Sequence, residues 1–137
     1  MASVGGFGDA VGMLLPLTRN KAELIEVVRI TDPARHLMSD ELTGDTVAIW
    51  EGDDVPEALA LVAELPGSEP YRCFLPGWGI RAHGSTGLLF EIAFCFRCHG
   101  ARLWGPDLPP EQRGQTFDGG SPTALELLRR FRSCLPD

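Results

Sequence analysis

The sequence predicts a small α+β domain in which helices pack on one antiparallel sheet. Two segments, 55–65 and 122–134, carry apolar residues at helical spacing. The remaining apolar runs are short, rich in β-branched and aromatic residues, and separated by glycine and proline turns, most clearly over 71–104. In a chain of 137 residues this pattern indicates a single two-layer domain.

The predicted sheet has about five or six strands. In the longest, 88–97, Phe90, Ile92, Phe94 and Phe96 alternate with the other side chains and therefore share one face. We predict this phenylalanine face to be the core face. The predicted strands are 24–30, 46–50, 71–75, 79–83 and 88–97, with 101–104 as a further candidate.

The two predicted helices begin at recognisable capping residues. Helix 55–65 follows a capping box formed by Asp54 and Glu57. Helix 122–134 follows Ser121, a favourable N-cap residue. We expect both helices to cover one face of the sheet.

Two parts of the chain lack a sustained hydrophobic period. We interpret residues 1–20 as a flexible N-terminal arm and residues 21–137 as the folded domain. The proline-containing segment 105–120 is predicted to be a long loop, either a lid or a plain connection.

Charge is unevenly distributed along the chain, whose net charge is −7. Residues 1–70 carry 13 acidic and 4 basic side chains, whereas residues 71–137 carry 6 acidic and 8 basic ones. Nucleic-acid and anionic-membrane binding need clustered positive charge, so we expect neither kind of partner. A protein partner with a basic surface is compatible with the acidic first half.

The sequence shows neither an export signal nor a membrane span. The apolar run 11–17 follows Asp9 instead of a basic region, and it is too short to cross a bilayer. We therefore expect the reducing cytosol, where cysteines serve as thiols, metal ligands or catalytic groups. Two structural disulfides among the four cysteines are the less favoured alternative.

The candidate site lies within 71–104, which holds three of the four cysteines and two of the three histidines. Residues 95–99 read C-x-x-C-H, a string compatible with a metal site, a redox dithiol or covalent haem. Basic side chains in the same stretch are further candidate site residues: Arg72, Arg81 and Arg97.

Zinc is the metal that these residue types favour, because thiolates suit zinc and its structural sites are four-coordinate. Cys95 and Cys98 supply a close pair of ligands, and Cys73 lies on a predicted strand that can neighbour theirs. His99, His83 or Cys134 can complete the set, and His99 and His83 are the favoured candidates for the fourth ligand.

Strand geometry leaves two alternatives for the cysteine pair. In a regular strand, Cys95 and Cys98 point to opposite faces and cannot share an ion. A shared metal therefore needs a tight turn at 95–98. The other alternative is a straight strand that buries Cys98 among phenylalanines.

A dithiol oxidoreductase is the main alternative from another class. Cys95 would be the attacking thiolate and Cys98 the resolving thiol, with Arg97 or Arg72 supplying positive charge. The motif ends a strand and does not open a helix, which disfavours this alternative. Covalent haem with His99 as its ligand is disfavoured further, since no export signal or helical context accompanies the string.

Other catalytic patterns are weak. His83, Ser85 and Glu91 can be drawn as a triad, but no nucleophile motif fixes them. The sequence also lacks a phosphate loop and a dinucleotide fingerprint. Catalysis is left without support from the sequence.

A longer pattern reads C-F-x-P-x-x-G-I-R, followed by an apolar strand and C-F-x-C. In this pattern, over roughly residues 24–104, the chain resembles a group of small uncharacterised bacterial proteins. The resemblance implies that the three cysteines belong together, and it brings no established activity. This chain has Gly77-Trp78 where the group often has a basic residue and a histidine. The matching residues are Cys73, Pro76, Gly79, Ile80, Arg81, Cys95, Phe96 and Cys98.

Together these observations predict a small cytosolic thiol- or metal-binding module with a binding or regulatory role and zinc as the favoured metal. The alternatives are a dithiol oxidoreductase and an acidic interaction or immunity-type protein whose cysteines only pack the sheet.

Overall fold

The structure, a computed structural model, describes residues 12–33, 41–69, 74–106 and 108–135. Within them the chain forms six strands and three α-helices, with a short 3-10 helix at Leu17–Lys21. The strands are Leu24–Arg29 (β1), Asp45–Glu51 (β2), Trp78–Gly84 (β3), Gly87–Cys95 (β4), Gly100–Trp104 (β5) and Gly114–Thr116 (β6); the helices are Asp54–Ala63 (α1), Pro110–Arg113 (α2) and Pro122–Arg132 (α3).

The six strands form one sheet in the order β2-β1-β3-β4-β5-β6, and every neighbouring pair is antiparallel. Strands β2 and β3 both run antiparallel to β1, so they are parallel to each other. Helix α1 joins them by crossing over β1. This arrangement confirms the predicted α+β domain with an antiparallel sheet.

The main core lies between the sheet and helices α1 and α3, and it contains the predicted phenylalanine face of β4. Phe131 of α3 is fully buried, and its ring lies 5.7 Å from Trp50, 5.4 Å from Trp78 and 5.6 Å from Phe94. Aromatic rings at such separations add to the free energy of burial. Phe131 therefore packs against residues of three strands, β2, β3 and β4. Its contact with Phe94 confirms that the phenylalanine face of β4 is the core face.

The second face of the sheet carries a smaller apolar cluster. Val28, Ala93 and Leu42 are buried there, and Phe74 and Trp104 pack against them. The loop before β2 thus covers one end of this face, whereas the other end carries polar side chains that are described below.

Several element boundaries differ from the predictions. Helix α1 has Asp53 at its N-cap and no side-chain cap, so the predicted capping box is wrong. Ser121 does cap α3, since its side chain accepts a hydrogen bond from the Ala124 N–H at 3.1 Å. The strand predicted to reach residue 97 ends at Cys95, where a turn begins.

Two predicted irregular segments contain more structure than expected. The segment 105–120 includes α2 and β6, which are short and polar and therefore leave no hydrophobic period. Before the 3-10 helix, Met13 is buried in the core, and the Leu14 main chain exchanges two hydrogen bonds with the Gln115 amide at 2.8 and 2.9 Å. Residues 1–11 lie outside the described ranges.

The predicted strand 71–75 lies mostly outside the described residues. Phe74 and Leu75, which are described, do not belong to the sheet. The sixth strand is instead β6, which pairs with β5.

The segment before α3 passes very close to the turn that follows β4. A Cβ added at Gly119 would lie 2.1 Å from the carbonyl oxygen of Phe96, whereas one at Gly120 would meet nothing nearer than Asp118 Oδ1 at 3.6 Å. We expect Gly119→Ala to lower the free energy of unfolding by about 2 kcal/mol, because the backbone must shift. Gly120→Ala should change it by less than about 0.5 kcal/mol.

Urea denaturation of both variants and the parent protein measures this difference. Equal stability of the two alanine variants would show that the close approach of these segments contributes nothing to the fold.

Candidate functional site

The end of strand β4 forms the bend that a shared cysteine site requires. Strand β4 ends at Cys95, its partner in register is Gly100 at the start of β5, and 96–99 form the turn between them. The Cys98 N–H donates a hydrogen bond to Cys95 Sγ at 3.2 Å. The turn alternative is therefore the one that the structure shows, and the straight-strand alternative is wrong.

His99 holds this turn in shape. Its φ of 56° lies in the left-handed region, which histidine adopts more readily than most non-glycine residues. Its carbonyl oxygen accepts the Phe117 N–H at 3.0 Å, and its Nδ1 accepts the Gly119 N–H at 2.9 Å. The segment before α3 thus clamps the turn through both the main chain and the ring of His99.

The hydrogen bond to the ring also bears on ligation by His99. A neutral imidazole has one nitrogen that accepts and one that carries the proton. Because Nδ1 accepts the Gly119 N–H, the proton of neutral His99 belongs on Nε2. A metal bond from either ring nitrogen of His99 therefore requires this hydrogen bond to break, because a proton moved to Nδ1 also prevents Nδ1 from accepting.

The cysteines differ in their bonding. Cys98 is disulfide-bonded, whereas Cys95 and Cys134 are free thiols. Cys95 is 2% exposed and Cys98 is 4% exposed, so both lie within the protein. Cys73 and Arg72 lie outside the described residues.

His83 is not brought near the cysteine turn. It faces Leu88 across the β3–β4 hairpin, whereas Trp78 at the other end of β3 faces Phe94, the neighbour of Cys95. At about 3.3 Å per residue, the five steps from Trp78 to His83 correspond to roughly 17 Å.

The remaining candidate residues near the motif are separate from each other. Arg97 is exposed on the turn. Cys134 follows α3, where its Sγ donates to the Arg130 carbonyl oxygen at 3.4 Å. Burial raises the pKa of the Cys134 thiol, partly offset by a hydrogen bond with Trp50. These features favour a packed, protonated thiol at Cys134.

Among the residues that the structure describes, no group of three or more histidine, cysteine, aspartate or glutamate side chains is arranged to hold a metal ion. The predicted set includes Cys73, which is outside those ranges. Within the same ranges, no helix combines the length and the apolar character that crossing a membrane requires.

A second cluster, which we call the polar network, lies on the second face of the sheet around Arg81. The Arg81 guanidinium contacts Glu91 Oε2 at 2.9 Å, Glu26 Oε2 at 3.4 Å and the Leu42 carbonyl oxygen at 3.0 Å. Glu26 also accepts from Thr46 Oγ1 at 2.8 Å. Glu91 is only 8% exposed, so Arg81 compensates a buried carboxylate.

His83 joins the polar network through Glu26. Its Nε2 lies 2.5 Å from Glu26 Oε1. The His83 ring is therefore hydrogen-bonded to Glu26 on β1, and not to Glu91. Ser85 is exposed in the hairpin turn. The triad of His83, Ser85 and Glu91 that can be drawn from the sequence is therefore not assembled.

Several effects act on the acidity of Glu26. Burial by itself raises the pKa of this carboxyl. Hydrogen bonds from Thr46 and His83, together with the positive charge of Arg81, lower the pKa by more than burial raises it. The net result is a pKa below the ordinary value of 4.5. The polar network is therefore arranged to keep Glu26 ionised.

Comparison with known proteins adds no relative. No protein-family model, no curated protein and no solved structure matches the chain.

Sequence reasoning identified Arg81 as a candidate but missed its partners. Glu26 and Thr46 are distant in sequence, and a register shift between Ala82 and His83 changes which residues face each other across the hairpin. The clamp on His99 was also missed, since nothing in the local sequence links it to Gly119.

Removing the central cation of the polar network should destabilise the fold. Arg81→Met leaves the buried carboxylate of Glu91 without its ion pair, and we expect the free energy of unfolding to fall by about 2–3 kcal/mol. Arg129→Met is the matched control, because Arg129 pairs with Glu126 at 2.6 Å while its side chain is 67% exposed. That change should cost less than about 0.5 kcal/mol.

Chemical denaturation of the two variants measures the contrast. The double variant Arg81→Met/Glu91→Gln should regain part of the loss, because the uncompensated charge is gone. A loss no larger for Arg81→Met than for Arg129→Met would contradict the role assigned to Arg81.

The pKa of Glu26 predicts a dependence of stability on pH. Because the folded-state pKa is lowered, the ionised carboxylate stabilises the fold fully above about pH 4.5, and this contribution is lost as the pH falls through the lowered value. Glu26→Gln should show a weaker decrease in stability below pH 4.5 than the parent protein. Thermal unfolding across the acidic range measures this slope.

Glu23→Gln is the control for this titration, since the Glu23 side chain makes no ion pair with any residue in the described ranges. Glu126, whose pKa the hydrogen bonds from Arg129 and Arg130 lower to about 2, also titrates in acid but is intact in both variants. Identical slopes for Glu26→Gln and the parent protein would refute the assignment.

Proposed function

We propose that the protein is a small zinc-binding module of the cytosol with a binding or regulatory role, whose metal is held by thiolates at the end of β4 and in the turn that follows it. The observation that supports the proposal most directly is the hydrogen bond from the Cys98 N–H to Cys95 Sγ. It brings the main chain of one candidate ligand against the sulfur of the other.

This geometry suits thiolate chemistry. An N–H donor stabilises the negative charge of a thiolate and orients a sulfur ligand toward its metal. Zinc binds thiolates, and structural zinc sites commonly draw two cysteines from one tight turn. The turn supplies such a pair because β4 ends at Cys95 and does not continue to Cys98.

The disulfide at Cys98 supports the presence of a third cysteine sulfur near those of Cys95 and Cys98. The sequence contains four cysteines, and Cys95 and Cys134 are free thiols. Cys73, the remaining predicted thiol ligand, lies outside the described residues. Phe74, which is described, lies near this turn, since a Cβ at Gly100 would lie 3.8 Å from Phe74 Cδ1.

The disulfide and a zinc site exclude each other, because a disulfide sulfur is no longer a thiolate ligand. In the proposal, the disulfide is the oxidised, metal-free form. Two electrons and two protons convert it to two thiols, and zinc then displaces protons from the thiols that bind it. The reducing cytosol favours the thiol form.

The fourth ligand is the least constrained part of the proposal. His83 lies at the far end of the β3–β4 hairpin, so we assign the position to His99 after its bond with Gly119 breaks, or to water. Water in that position would leave zinc with an exchangeable site.

A thiol–disulfide exchanger is the second candidate, because a free thiol at Cys95 lies next to the disulfide-bonded Cys98. In exchange, the Cys95 thiolate would attack Cys98 and release the thiolate of its former partner. The near-complete burial of both residues hinders access by protein substrates. Zinc binding is therefore the function that the geometry supports better than thiol–disulfide exchange.

Metal content tests the proposal with a matched control. Protein purified under reducing conditions without a metal-affinity tag should contain about one zinc per chain. Cys95→Ser should lose most of this zinc, whereas Cys134→Ser should retain it, because Cys134 lies after α3 and is bound to the Arg130 carbonyl. Elemental analysis of the three proteins gives the result.

Equal zinc content in the parent protein and both serine variants would contradict the proposal. A metal-free protein that reduces disulfide substrates through Cys95 would establish the exchanger instead.

A further inference from the structure

Strand β2 is an exposed edge of the sheet. It pairs with β1 on one side, and within residues 12–33, 41–69, 74–106 and 108–135 no strand pairs with its other side. Asp45, Thr46, Ile49 and Glu51 are exposed along it. The strand has seven residues, which corresponds to roughly 23 Å of edge.

Alternation of the backbone shows which groups of β2 point outward. Ile30 directly follows β1, and its N–H donates to the carbonyl oxygen of Gly77, just before β3, at 3.0 Å. Because backbone groups alternate in direction along a strand, the even-numbered residues of β1 direct their N–H and C=O groups toward β3. The N–H and C=O groups of Val27 therefore point toward β2, where the partner of Val27 in register is Ala48. The next residue of β2, Ile49, directs its N–H and C=O away from β1.

This edge lacks two of the devices that block strand addition. Edge strands are commonly protected by lysine, by proline or by a bulge. Strand β2 contains neither lysine nor proline, and its register shift lies at its beginning, opposite Val27 and Val28. The part from Ala48 to Glu51 is regular, and no strand of the described residues pairs with its outer side.

A cleft of about 530 Å³ lies beside the open part of the edge, on the second face of the sheet. Three carboxylates line it, and those of Glu23 and Glu51 form no ion pair with any described residue. Its apolar lining comes from Leu24 and Ile49. Within the described part of the chain, the cleft therefore combines carboxylates that form no ion pair with apolar surface, next to outward backbone groups of β2 that no other strand pairs with.

We propose that the β2 edge binds an extended segment of a partner protein in which basic and apolar residues alternate. The segment adds a strand to the sheet through the backbone of Ile49, and its alternate basic side chains enter the cleft near Glu23 and Glu51. Main-chain hydrogen bonds give such strand addition its affinity, and side-chain sites give it specificity. This inference is independent of the zinc proposal.

Charge selects this occupant over a second copy of the chain. The antiparallel register that uses the whole strand would place Asp45 of one copy opposite Glu51 of the other, and like charges in that position are destabilising. The segment 1–11 of the chain itself contains no basic residue. A basic partner strand instead supplies charges opposite to those of the edge.

Fluorescence anisotropy with the full chain tests the proposal. The probe is a fluorescein-labelled peptide of sequence Lys-Val-Arg-Val-Lys-Val-Arg, and we expect saturable binding that weakens as salt is raised. Ile49→Pro should weaken binding at least about tenfold, because it removes an outward donor, whereas Ile49→Val should bind like the parent protein. Proline is tolerated at an edge where its nitrogen faces solvent, and circular dichroism checks that the variant is folded.

Two further probes separate strand addition from charge attraction. The same peptide with alternate backbone nitrogens methylated keeps its charges but loses donors, and it should bind at least about tenfold more weakly. Glu51→Gln should weaken binding of the unmodified peptide about threefold, a change in affinity expected for one partly screened charge pair.

Three results would overturn the proposal. They are no binding of the basic peptide by the full chain, equal binding of the methylated and unmodified peptides, and equal binding by Ile49→Pro and Ile49→Val. The first result includes the case in which another segment of the chain covers the edge.

Discussion

The alternation of side chains along β4 is the constraint on which the rest of the structure depends. Phe90, Ile92 and Phe94 enter the core between the sheet and the helices, so Glu91 and Ala93 must lie on the second face. A shift of one residue would bury Glu91 among the phenylalanines and expose the core residues. The same alternation places Cys95 on the second face, at the end of the strand, where the chain turns.

The second face consequently has two chemically different ends. At one end, Phe74 lies near Gly100 beside the cysteine turn, where Cys95 is 2% exposed and Cys98 is 4% exposed. At the other end, Arg81 compensates Glu91 and Glu26, and the sheet opens toward the β2 edge. Buried sulfur suits a metal or packing role, whereas partly solvated charge suits recognition of another molecule. The two proposals follow from this division.

Much of the fold could be predicted because it follows from the spacing of apolar residues along each strand and helix. The phenylalanine alternation gave the core face, and Ser121 marked the start of α3. Strand β6 could not be predicted, because Gly114–Thr116 is short and polar and forms only through its pairing with β5. The sixth strand therefore came from a segment that looks like a loop.

The candidate site was predictable in its residue types but not in its contacts. The sequence placed Cys95 and Cys98 in one motif, but it left both the turn and the straight strand open as alternatives. The clamp from Gly119 onto the His99 ring joins residues twenty positions apart, and only the tertiary structure reveals it. The pairing of Arg81 with Glu91 depends on a register shift that no local pattern encodes.

The central claim is that the sulfurs gathered at the end of β4 bind one zinc ion when they are reduced. Zinc K-edge X-ray absorption on the reduced, zinc-loaded protein measures the ligands directly. The account predicts a first shell dominated by sulfur at about 2.3 Å. A first shell of nitrogen and oxygen alone would place the metal elsewhere and contradict the account.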